Sequence, residues 1–230
     1  MTTHDKSKKE SFEKSVKQSI PLLPIYLLIP ILFWLAFRYT GTDMIWKAFG
    51  FGALGWIIAL MLRGPISVLG MKLPKERAQK IIVGSSGPLE EGVRLGLLIL
   101  TGTGFSWALS IGQGWAAVEV VYTIVQVVAI ASLAKRTDEK AMQAKAMLEA
   151  QGMVSASPFW GLFERVSASA FHIGCTLLVA KYHWLVIALI PLHSFVNLGA
   201  VNLAKKSIAR LEFYMAIVGI AALGAGLLVY

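Results

Sequence analysis

This sequence predicts an all-α protein, a polytopic transmembrane bundle of about seven spanning helices with a cytoplasmic N-terminus and its C-terminus outside. Three observations predict it. Hydrophobic residues make up 56% of the 230 and charged ones 15%, against about 45–50% and 25% in soluble domains. The apolar residues gather into runs close to the ~20 residues that cross a bilayer core. The basic residues fall in alternate gaps between those runs, as the positive-inside rule requires.

Residues 1–20, "MTTHDKSKKESFEKSVKQSI", are polar and rich in lysine and form a cytoplasmic tail. The first apolar run, 21–37, is followed by "RYTGTD", which offers no small-residue cleavage site, so an uncleaved anchor is expected. The second run is 46–62. Residues 63–87 interleave apolar positions with Lys72, Lys75, Arg77 and Lys80, a pattern that suits an interfacial segment on anionic lipid. Further spans are expected at 88–110, 114–134, 158–180, 184–203 and 212–230. The whole of 21–230 reads as one transmembrane bundle.

Orientation follows from charge. With the tail inside, the inner gaps hold Arg63 to Lys80, then Lys135, Arg136, Lys140 and Lys145, then Lys205, Lys206 and Arg210. The outer gaps hold Arg38 and Lys47, an uncharged "IGQG" at 111–114, and Lys181. A formal charge of +9 is therefore a topology signal, and no nucleic-acid partner is expected. The lone Cys175 excludes an intramolecular disulfide and reads as core filler. His183 and most tryptophans read as interfacial. "TGTGF" from Thr101 has no strand before it and is not a nucleotide site.

Ionisable residues inside the runs mark a site or a bundle interior. "EEGVR" places Glu91 three residues and Glu90 four residues before Arg94, so either acid can pair with the guanidinium. The preceding "SSGP" also suits a helix cap with acids near a positive N-terminus. The alternative is one paired carboxylate and one general base acting on water. "FERVSASAFHIG" sets Arg165, Ser169 and His172 on one face, among small residues that permit close helix approach. Glu164 points to an adjacent face. "HSFVN" stacks His193 and Asn197 four residues apart, where both can donate to one oxyanion or simply join helices. Glu119 stands alone in its run and needs a partner, with Arg94 and Arg165 the candidates.

These three segments, in this order, resemble the CAAX-type intramembrane proteases, most closely the YhfC-family branch. The resemblance covers residues 87–197, the expected catalytic core. It implies an intramembrane endopeptidase acting on a peptide or membrane-protein substrate. Glu90 or Glu91 would activate water, Arg94 would hold the other carboxylate, and His193 with Asn197 would form the oxyanion site. His172 and His193 would position the water or, with Glu91, bind a divalent metal such as zinc. Glu119, Glu164 and Arg165 would support them. Trp115 stands where that group carries a Gly-His-Gly-type segment. A prokaryotic plasma membrane is the expected location. A proton- or solute-coupled transporter and a non-catalytic regulatory protein are the rival expectations. Counted at ~1.5 Å per residue from the outer helix ends, His172 and His193 fall roughly 12–15 Å down and the two glutamates roughly 30 Å down.

Overall fold

The computed structural model describes residues 18–70, 72–134, 136, 138–139, 141–142, 145 and 158–230. Expectations for residues 1–17, Lys135 and Lys140 lie outside the described residues. Among the described residues every regular element is helical, so the all-α bundle holds. Short helical turns at Ile20–Leu22 and Leu23–Tyr26 lead into α1 (Leu28–Tyr39). Then come α2 (Trp46–Gly70), α3 (Lys75–Gly84), α4 (Ser86–Thr101) and α5 (Phe105–Ala134). The chain closes with α6 (Pro158–Lys181), α7 (Val186–Ala204) and α8 (Ile208–Leu228).

Among the described residues six segments are long and apolar enough to cross a membrane: 20–39, 46–70, 105–134, 159–181, 183–204 and 208–228. Large apolar side chains stay exposed on their outer surfaces, including Ile187, Ile220 and Leu228. Such a surface belongs in lipid, and the protein is a multi-pass membrane protein. α4 is the exception. It is 16 residues long, carries two acids and an arginine, and buries Glu90, Glu91 and Arg94.

The centre of the chain departs from the sequence expectation in two places. A helix beginning at residue 88 behind a serine cap does not form. Instead α3 and α4 run nearly end to end with a break at Ser85, whose side chain caps nothing ahead of it. Ser85 and Ser86 donate backwards to the carbonyls of Ile82 and Val83, at 2.8 and 2.7 Å. Pro88 explains the break. It has no N–H for the carbonyl of Gly84, four residues earlier. Ser194 of α7 supplies the missing donor, with Oγ 2.6 Å from that carbonyl oxygen.

Second, the turn expected at "IGQG" lies at "TGTG". Residues 105–134 form one continuous helix. Gly102 takes a φ of 137°, a conformation that favours glycine. Thr101 and Thr103 tie the turn down, accepting from Trp107 Nε1 at 3.0 Å and from the Tyr230 hydroxyl at 2.9 Å. The glycines of "IGQG" serve contact instead. A Cβ on Gly114 would strike the Phe49 carbonyl of α2, and one on Gly112 would lie 2.9 Å from Ile173 Cα of α6. The same device joins α6 to α8, where Gly174 meets the Ala222 backbone and Gly219 meets the Ser167 carbonyl.

Candidate functional site

The α3–α4 break resolves the mismatch in depth. Gln79 of α3 accepts from Lys205 at the end of α7, at 3.3 Å. Gly84 is tied to Ser194, eleven residues or about 16 Å further along α7. α4 therefore starts well inside the bundle, and Glu90 and Glu91 reach the level of His193.

Glu91 and Arg94 are fully buried and pair across one turn of α4. Glu91 Oε1 also lies 2.7 Å from His193 Nδ1. A carboxylate accepts, so Nδ1 of His193 carries the proton and Nε2 presents a bare lone pair. Arg94 Nη2 lies 3.0 Å from His172 Nδ1. A guanidinium only donates, so the His172 proton sits on Nε2, 2.7 Å from Glu119 Oε2. That contact is close but bent, since no aligned hydrogen bond reaches this oxygen. Trp115 covers Arg94, with the guanidinium carbon 4.6 Å from a ring centroid.

Glu90 occupies the gap between the two imidazoles. Its Oε2 is 3.8 Å from His172 Nδ1 and 3.8 Å from His193 Nε2. Trp115 Nε1 donates to the same oxygen at 3.4 Å. Arg63 of α2 binds Oε1. Phe171 stands edge-on to His193, centroids 5.1 Å apart at 89°, and pins the ring. A cavity of about 110 Å³ opens beside this group, lined among others by Arg63, Glu90, Glu119, Glu164, His172, His193 and Asn197.

Glu90, His172 and His193 each offer a ligand atom, and these atoms all lie within 4.8 Å of one another. They could hold a metal ion. The sequence set named Glu91; its contacts to Arg94 and His193 leave Glu90 as the nearer carboxylate. The other expected residues fall as follows. Glu119 finds Arg165, at 2.6 Å, rather than Arg94. Glu164 binds Arg165 on its own helix. Asn197 lines the cavity, but its amide donates to Ser86 Oγ at 2.7 Å. His193 gives its proton to Glu91, so the two do not aim donors at one point. Cys175 is buried, and His183 is exposed.

Two contributors escaped the sequence reading. Arg63 counted as a loop charge, because the second run was closed at 62; α2 carries it one helical turn beyond Ala59 into the bundle. Its spacing of seven from buried Trp56 was the available signal. Trp115 looked like a departure and is a wall of the site. No protein-family model, curated protein or solved structure matches the chain.

Proposed function

We propose that this protein is an intramembrane endopeptidase that hydrolyses a peptide bond with water activated by Glu90. One observation carries the reading. Glu90 Oε2 and the bare Nε2 of His193 are two acceptors 3.8 Å apart on the wall of a cavity. A single water can donate one hydrogen to each, which fixes its lone pair toward a substrate carbonyl. Glu90 then takes one proton as the oxygen attacks and gives it to the leaving amine as the C–N bond breaks, and His193 Nε2 takes the water's second proton from the new carboxyl group. Glu91 orients His193 through Nδ1 and stabilises the imidazolium. The buried Nε of Arg63, on a residue that lines the cavity, has no partner and is a donor free to serve the oxyanion.

A divalent ion such as zinc would take Glu90 and the open nitrogen of His193, with His172 giving up its bond from Arg94, and would supply Lewis-acid activation of water. The substrate is a peptide or membrane protein reaching the cavity from the bilayer, in a prokaryotic plasma membrane with the N-terminus inside.

The test is cleavage of reporter membrane proteins in proteoliposomes. Glu90→Gln and His193→Ala should each lower the rate by about 10²–10⁴, the usual worth of a general base, with helicity unchanged. Full activity in both variants overturns the mechanism. A second reading rests on a different observation, the row of polar contacts Glu119, His172, Arg94, Glu91 and His193 across the bundle. Such a row suits a proton-coupled carrier. Acidification of vesicles during solute uptake, without cleavage, would establish that reading in its place.

A further inference from the structure

Lys72, Arg77, Lys80, Lys205, Lys206 and Arg210 are exposed, and among the described residues none of them meets a carboxylate. Cations elsewhere are occupied. Arg38, Arg63, Arg94, Arg136 and Arg165 each hold an acid. Lys47 and Lys181 lie over aromatic rings, and Lys145 donates to two backbone carbonyls. The unpaired cations share one end of the bundle, the α3 region and the α7–α8 junction, which Lys205 Nζ and Gln79 Oε1 join at 3.3 Å. Within residues 69–84 and 203–211 the only acid is Glu76.

Packing orients α3. A Cβ on Gly70 of α2 would lie 3.3 Å from Ile82 Cδ1 and 3.7 Å from Ala78 Cβ, so the Ala78–Ile82 face meets α2. Arg77, Lys80 and Ile81, at spacings of three and four, share the face turned away. Ile81, Leu73 and Leu69 are exposed beside these cations. The positive-inside rule accounts for cations at this end. It does not require that they lack partners or share a face with exposed apolar side chains. We propose that this face of α3, with the α7–α8 junction, binds an anionic phospholipid of the cytoplasmic leaflet. The phosphate sits among the ammonium and guanidinium groups, and the acyl chains run along Ile81, Leu73 and Leu69. The surface stands apart from Glu90 and His193 and does not depend on what they do. α3 leads directly into α4, and Ser194 fixes Gly84 between them. A lipid held here therefore steadies the segment that sets the depth of α4.

The experiment is thermal melting of the purified full chain in detergent micelles titrated with dioleoylphosphatidylglycerol, against dioleoylphosphatidylcholine and inorganic phosphate. Phosphatidylglycerol should raise Tm in the wild type; the zwitterionic lipid and free phosphate should not. The double variant Arg77→Gln, Lys80→Gln should need about tenfold more phosphatidylglycerol for the same rise, in keeping with the worth of two basic residues at an anionic surface. The double variant Lys47→Gln, Lys181→Gln, which removes two exposed cations away from α3, should respond as the wild type does. Equal responses in the wild type and the Arg77, Lys80 variant overturn the surface. So does an equal loss in the Lys47, Lys181 variant, or a rise given equally by phosphatidylcholine or by phosphate. Should the Arg77, Lys80 variant fail to fold, Lys206→Gln with Arg210→Gln carries the same decision.

Discussion

At the scale of single residues, Arg94 organises the buried polar cluster. It is fully enclosed, pairs with Glu91, faces His172 Nδ1 and lies under Trp115. Removing one partner of a buried pair strands the other charge. Arg94→Met should therefore cost about 3–5 kcal/mol, read as a loss of Tm in detergent. Arg94→Lys should not restore it, because an ammonium cannot serve Glu91 and His172 with a planar fork. Glu91→Gln in the Arg94→Met background should recover part of the loss. An additive double variant would show that the two do not act as a pair. This pair was legible in the sequence because its partners lie three residues apart on one helix. Arg63 was not, because its partner is 27 residues away and only packing of α2 on α4 brings them together.

At the scale of elements, the break between α3 and α4 sets the depth of the site. Its chemistry is one exchange, a proline that withholds a donor and a serine on another helix that supplies one. Ser194→Ala leaves the part-buried Gly84 carbonyl without its donor, which should cost about 1 kcal/mol. Pro88→Ala restores the local N–H, so the double variant should be more stable than Ser194→Ala alone. Thermal melts of the four proteins give the coupling; none would mean that Ser194 does not replace the proline's missing donor. The sequence showed Pro88 and was taken to show a helix start, since a proline in a first turn and a proline after a break look alike. The turn was misplaced for a similar reason. "IGQG" and "TGTG" are both glycine-rich, and nothing local says which pair of glycines bends the chain and which admits a neighbouring backbone. Contact of α5 with α2 and α6 decides it, and that is a tertiary fact.

At the scale of the whole molecule, composition and the spacing of apolar runs were enough for the bundle, because lipid permits little else than helices with internally satisfied backbones. The ends of the bundle carry the remaining prediction. The turn at Gly102–Gly104, the end of α6 and the C-terminus gather at one end, where Tyr230 meets Thr103 and Lys181 lies 4.8 Å from the Tyr230 ring. Lys205, Gln79 and the basic residues of α3 gather at the other. Positive residues are retained on the cytoplasmic side, which predicts that the first end faces outward. The single native cysteine is buried, so Cys175→Ser provides a clean background. In intact cells, Tyr182→Cys should react with a membrane-impermeant maleimide and Lys206→Cys only after permeabilisation. The opposite pattern would invert the protein.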